Sequence, residues 1–394
     1  MGFLGLVCML ASLRAQVTWS TVGTPTTETL WGVTYGSGQF VAVGEKGVIL
    51  TSPDARVWTK RASGTDAWLL HVAYGDGCYA AVGEAGTILV SVDAIHWQRS
   101  EPIAGLMGTA RERLNVVAFR RVGFFAFGEN GERASAERPF GPWSRDLWKT
   151  EEGSWWRGYA LGFEKVALAG SRGIYVDGTD RTPGGLRNLE GVAFGNLRFV
   201  AVGAGGATAM SMDGESWAAG DAGTSQTLRA VTYFNGLFVA VGDGGAVRTS
   251  PDGRSWVARN SSTLRGLRGL STSDDTVVAV GEAGALISSP WIGLAPAVVR
   301  PMENVREEEG GTTYLRVEAT GSEPLSYRWS FQGSQIAVTK HPLLDLSNLT
   351  PSHAGLYTVT VSNAYGSATS APASVTVLPV AGPSVVDANF NASA

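Results

Sequence analysis

Cysteine is almost absent from this chain, with only Cys8 and Cys78 in 394 residues. Cys8 falls in an apolar opening that reads as a removable leader, so Cys78 stands alone, and both a disulfide framework and a cysteine-ligated zinc site are excluded. Cys78 reads as a small strand residue, not a nucleophile. Histidine is equally scarce, and His71, His96, His341 and His353 show no metal-ligand spacing. Charged residues make up only 17% of the chain and the formal net charge is -4, so a nucleic-acid backbone would find no basic footprint. Beyond the opening there is no continuous apolar run of about 20 residues, and no transmembrane segment is expected. No nucleotide-binding glycine loop or nucleophile elbow stands out, and no cofactor is expected.

What the chain has in quantity is glycine, at 52, and tryptophan, at 13. That profile of tight turns and aromatic plugs with few long amphipathic helices points to an all-β protein. A "VAVG" element recurs seven times, intact or decayed, ending at Gly44, Gly83, Gly128, Gly170, Gly203, Gly242 and Gly281. Each unit reads as four short strands, for example "LRAVTYFNG", "LFVAVGDG", "GAVRTS" and "SWVAR", with the two-residue alternation of strands and Gly- and Asp-rich turns between them. One such sheet cannot hide both faces. Seven units packed radially make a seven-bladed β-propeller, expected over residues 16–292. The seventh unit stops after its third strand, while "VTWSTVGT" near the N-terminus matches the fourth-strand text "SWVARNSST". The N-terminal segment is therefore expected to complete the last blade, with Trp19 beside the strand around Ile287, which removes an open sheet edge.

Four units carry Ser-x-Asp-x-x-x-Trp: Ser52, Asp54, Trp58; Ser91, Asp93, Trp97; Ser211, Asp213, Trp217; and Ser250, Asp252, Trp256. The hydroxyl and carboxylate can accept the free N–H groups of a tight turn while the indole folds back as a lid, so these acids read as structural, not catalytic. The pattern resembles the Asp-box (BNR) hairpin of sialidases, some glycoside hydrolases and the photosystem II assembly-factor propellers. Blade 3 has "SAERPFGPW" in its place and blade 4 only "YVDGTD". The resemblance implies a propeller more firmly than an enzyme: sialidases have six blades, an arginine triad and a Tyr–Glu pair, for which no segment matches, and the xyloglucanase type pairs two propellers around a cleft. A two-carboxylate mechanism needs acids at a set separation across a cleft. A ring of turn acids is not that.

By propeller geometry, one face gathers two sets of residues. The turns between second and third strands give Glu45, Glu84, Glu129, Ser171, Ala204, Asp243 and Glu282; the residue after the one that opens each innermost strand gives Trp31, Leu70, Asn115, Arg157, Glu190, Arg229 and Arg268. Trp31, Arg157, Glu190, Arg229 and Arg268 are the candidate ligand-binding residues, arginine forks for an anionic or carbohydrate group with Trp31 as a stacking platform. The competing reading is a solvated rim whose charges neutralise one another. Trp148, Trp155 and Trp156, in the insertion "WKTEEGSWWRGY", fall on the same face as further candidates or as buried plugs.

After residue 292 the period ends. "TYLRVEATGSEPLSYRWSFQG" and "HAGLYTV" resemble an immunoglobulin-like module of the bacterial extracellular kind over residues 296–379, with Trp329 at the buried strand-C position and Tyr357 as the tyrosine corner. The usual cysteines are replaced by Val317 and Val359, whose burial can fill that space without oxidation. Residues 1–15 read as a signal peptide or, alternatively, a buried strand. Residues 380–394 read as a tail or, from "VDANFN", the start of a truncated further repeat. The expected protein is a secreted or cell-surface, non-catalytic binding or adhesion protein of bacterial type, monomeric, with a protein or glycan ligand at the propeller mouth. An assembly or scaffolding factor like the photosystem propellers is the alternative, and a carbohydrate-active enzyme the third reading.

Overall fold

A computed structural model describes residues 18–100, 113–120, 123–129, 132–138, 140–147, 155–290, 295–321, 324–363 and 365–379. The expected signal peptide, the expected tail and Trp148 lie outside the described residues. The chain divides into two units after residue 292.

In the first unit every repeat becomes one four-stranded antiparallel sheet, and there are seven of them. Blade 6 is representative, with strands Leu228–Phe234, Leu237–Gly242, Val247–Ser250 and Val257–Arg259. The innermost strand of each blade packs against that of the next, and Leu30–Gly36 of blade 1 meets Leu267–Thr272 of blade 7, which closes the ring. Closure is covalently discontinuous: Ser20–Thr21 pairs with Leu286–Pro290 in the register Ser20↔Ser288 and Thr21↔Ile287, and Val22 donates its N–H to Leu286 O at 2.9 Å. Trp19 is buried beside that strand. The propeller is thus seven-bladed, with its seventh sheet built from both ends of the repeat region.

The recurring text has mechanical reasons. The leucine opening each innermost strand is fully buried at Leu30, Leu69, Leu189, Leu228 and Leu267, and each such burial contributes about 2 kcal/mol. The glycine ending "VAVG" is required by close approach: a Cβ on Gly242 would lie 2.0 Å from Thr227 O. Three residues on, Gly245 sits at φ +71°, where a side chain is strained and would also meet Thr263 O.

The Ser-x-Asp-x-x-x-Trp turns join third and fourth strands. Asp252 Oδ1 accepts N–H groups from Arg254 and Ser255 at 2.8 Å and the Ser250 hydroxyl at 3.0 Å, and Ser250 Oγ accepts the Gly253 N–H at 2.8 Å. Trp97, Trp217 and Trp256 donate their indole N–H to the carbonyl three residues back, so the indole pins the turn as well as covering it. Trp58 is buried and makes no such bond. Three of these turns also receive a donor from the preceding blade. Gln39 Nε2 reaches Asp93 O at 2.9 Å, Lys165 Nζ reaches Asp213 O at 3.0 Å, and the fully buried Arg198 reaches Asp252 O through Nη1 at 3.1 Å. All three donors occupy the first position of a second strand. That position holds Cys78, Gly123 and Leu237 in blades 2, 3 and 6, where the following blade lacks the turn.

The second unit is a sandwich. Val305–Glu308, Ala373–Leu378, Gly355–Asn363, Ser326–Phe331 and Ser334–Thr339 form the larger sheet, with Gly366–Thr369 also paired to Gly355–Asn363, and two short strand pairs lie apart from it. Trp329, Val317, Val359 and Tyr357 are all buried in its core. Tyr357 donates its hydroxyl to His353 O at 2.9 Å, a bond that ties the strand to the turn before it.

Candidate functional site

The innermost strands surround a central channel of about 470 Å³. In all seven blades the pairing of first and second strands skips one residue immediately after the opening position. The skipped residues are Trp31, Leu70, Asn115, Arg157, Glu190, Arg229 and Arg268. A bulge of this kind leaves one residue unpaired and re-aims its side chain, and here all seven line the channel. Trp31, Arg157, Glu190, Arg229 and Arg268 are therefore brought together at one opening by a single repeated irregularity.

The charges do not stand free. Glu190 lies between Arg157 Nε and Arg229 Nη1, each at 3.3 Å. Arg229 grips Asp243 with both ends of its fork, Nε to Oδ1 at 3.0 Å and Nη2 to Oδ2 at 2.7 Å. Arg268 reaches Asp243 at 3.5 Å, donates to Glu282 through Nη2, and sits over the Trp31 ring with its guanidinium carbon 5.3 Å from the centroid. Trp31 stacks on Trp68 at 6.2 Å between centroids. In blade 2, Glu84 accepts the Trp68 N–H at 3.4 Å and Arg113 Nη2 at 2.6 Å. A hoop of contacts thus runs from Arg157 through blades 5, 6, 7, 1 and 2 to Arg113.

These contacts set the ionisation of the acids. The hydrogen bond from Arg268, then the Gly266 N–H, holds Glu282 below the usual carboxylate range. Burial works to raise the Asp243 pKa, but the Arg229 fork and the charges of Arg229 and Arg268 outweigh it and hold it low. Bonding to Asp243 in turn raises that of Arg229. The turn acids carry a second duty. Glu45, Glu84 and Glu282 accept the backbone N–H of Thr29, Trp68 and Gly266, and Ser171 Oγ does the same for Trp155 at 3.1 Å. Deeper in the channel, His71 Nδ1 accepts the Val117 N–H at 3.4 Å, and burial pushes its pKa down to about 4, which keeps the imidazole neutral.

The adjacent tryptophans of blade 4 part ways. Trp156 opens the innermost strand and is buried against Tyr175, whereas Trp155 is 44% exposed and lines the channel. Trp68 and Arg113 also line it, although nothing singled them out as sequence. Their signal was present: Trp68, Arg113 and Trp155 occupy the position just before the opening residue, two residues upstream of the one that is skipped. The Ser-x-Asp turns lie away from the channel lining. No group of three or more potential metal ligands occurs among the described residues.

Comparisons with known proteins divide along the two units. The Immunoglobulin I-set domain family matches residues 296–377. Among solved structures, a structure of YCF48 bound to D1 peptide is 17% identical, covering 70% of this chain and 97% of that one with a TM-score of 0.54. The Pan2 WD40 domain of Neurospora crassa is 8% identical, covering 70% of this chain and 96% of that one, also at 0.54. No curated protein matches the sequence. Identities this low establish the propeller fold and nothing narrower.

Proposed function

We propose that the channel mouth recognises a segment of another protein without chemical turnover, in a chain that works outside the cytoplasm or at the cell surface, with the immunoglobulin-like unit as spacer or additional contact. The observation that carries this reading is the shared bulge, which turns Trp31, Arg157, Glu190, Arg229 and Arg268 toward one opening of about 470 Å³. A cavity of that size suits a few side chains. YCF48, a fold neighbour, is described as bound to a peptide, which favours a protein ligand over a glycan. The four Ser-x-Asp-x-x-x-Trp hairpins are read as Asp-boxes with a purely structural role. A glycosidase keeps one acid protonated near neutral pH. Asp243 and Glu282 are shifted the opposite way, which weighs against catalysis at the mouth.

The same neighbour supports a second reading, an assembly or scaffolding factor, which differs in what the captured protein is for and not in how it is captured. The test is to apply the full chain to a peptide array and a glycan array side by side, with mass spectrometry of the eluted ligands. Peptide capture without cleavage is expected. Exclusive glycan capture, or cleaved ligand, overturns the reading. Fractionation of expressing cells checks export, and recovery only from cytoplasm removes the proposed location.

A further inference from the structure

Among the described residues the hoop around the mouth has a gap. No side-chain contact among them joins Arg113 to Arg157, and blades 3 and 4 meet there through a backbone bridge between Glu129 and Trp155. Of the hoop's arginines, the two flanking this gap are the open ones. Arg113 and Arg157 are each 41% exposed, against 23% for Arg229 and 18% for Arg268, and Trp155 is 44% exposed. Arg157 meets Glu190 through Nε at 3.3 Å, a long contact. Blades 3 and 4 also lack the Ser-x-Asp turn, and no latch donor stands ahead of them at Cys78 or Gly123.

We propose that this gap, not the Arg229–Arg268 side, is the contact site of the mouth, and that it takes a peptide bearing a side-chain carboxylate next to an aromatic or large apolar residue. The inference rests on the reading of the mouth as protein-binding and narrows it. Two guanidinium forks flanking an open indole recognise a planar anion beside an apolar surface. A neutral glycan needs acceptors and donors fanned around its hydroxyls, and Glu84, Glu190, Asp243 and Glu282 are already engaged by arginine, which leaves Glu129 as the carboxylate at the gap. Trp31 lies between Arg268 and Trp68 in the ring and is spent on the hoop. A cationic peptide would find one carboxylate at the gap, Glu129, and would have to displace Arg113 from Glu84 or Arg157 from Glu190 to reach a second.

The probe is an acetylated, amidated fluorescent hexapeptide with an Asp-Phe-Glu core, compared with its Asn-Phe-Gln, Lys-Phe-Lys and Asp-Ala-Glu counterparts and with polygalacturonate oligomers, all against the full chain. Blocked termini keep a terminal carboxylate out of the comparison. The Asp-Phe-Glu peptide is expected to bind about tenfold or more tightly than each counterpart, with affinity falling as salt is raised. Arg113→Gln combined with Arg157→Gln, and Trp155→Ala separately, should each weaken it by about tenfold, while Lys60→Gln on an outer strand serves as control. Melting curves confirm that each variant folds. Selective peptide binding that ignores Arg113, Arg157 and Trp155 overturns this inference and leaves the proposed function standing. Preference for Lys-Phe-Lys or for polygalacturonate overturns it as well. Failure of every peptide on the array overturns both.

Discussion

Blades 1, 2, 5 and 6 carry the Ser-x-Asp-x-x-x-Trp turn, and blades 3, 4 and 7 do not. The seams between blades follow the same division. Where a blade offers the turn, its predecessor usually supplies a long donor to the aspartate carbonyl: Gln39 for blade 2, Lys165 for blade 5, Arg198 for blade 6. Thr276, ahead of blade 1, is too short and bonds instead within its own hairpin. Where the turn is missing, the equivalent position is Cys78, Gly123 or Leu237. The turn is therefore half of a joint. Its acids serve the ring.

The largest expected loss on breaking this division is at Arg198. Arg198→Ala removes a fully buried guanidinium from the seam between blades 5 and 6, opens a cavity and leaves the half-buried Asp252 without its nearby cation. A destabilisation of about 3 kcal/mol is expected by urea denaturation. A change within error would mean that the joint is decorative. Blade 7, which has neither turn nor covalent continuity, is broken next most severely through its borrowed strand. Val22→Pro deletes the N–H that reaches Leu286 O and should cost about 2 kcal/mol, with the loss confined to the ends of the ring in hydrogen exchange. Uniform loss of protection across all blades would contradict closure by that strand.

Much of this organisation was legible in the sequence, for one physical reason: a repeat presents the same local solution seven times. The strand texts, the turn acids and the offset of the mouth residues from the opening residue all recur, and the bulge that aims Trp31, Arg157, Glu190, Arg229 and Arg268 recurs with them. What was not legible is which neighbours those residues choose. The ladder from Arg157 to Glu282 and the stacking of Trp31 on Trp68 depend on spacing between blades, and no local pattern encodes that. Trp155 and Trp156 make the limit concrete. They are adjacent and chemically identical, and a single step along a strand puts one in the core and the other in the channel.

A pH series sharpens the same comparison. Burial tends to raise the Asp252 pKa, but the N–H groups of Ser255 and Arg254, the Ser250 hydroxyl and the Arg198 charge together hold it below its ordinary value. A carboxylate with a depressed folded pKa contributes stability that is fully present above its unfolded value, about 4, and is lost as pH falls through the folded value. The melting temperature should therefore decline in acid below about pH 4, and Asp252→Asn should start lower and decline less steeply. Parallel declines for the two proteins would assign the acid limb to other groups.

The smallest expected effect tests whether the joint works without charge. Gln39→Ala removes one neutral amide donor from Asp93 O at the seam between blades 1 and 2, in a partly exposed setting where water can replace it. A neutral hydrogen bond of this kind contributes about 1 kcal/mol. Asp93 keeps its own turn intact through the N–H groups of Ile95 and His96, so the loss should appear as faster exchange of amides along the seam before it appears in the melting temperature. If Gln39→Ala instead costs as much as Arg198→Ala, the strength of a seam is set by the shape of the turn and not by the charge or burial of its donor, and the contrast between blades would have to be drawn on packing alone.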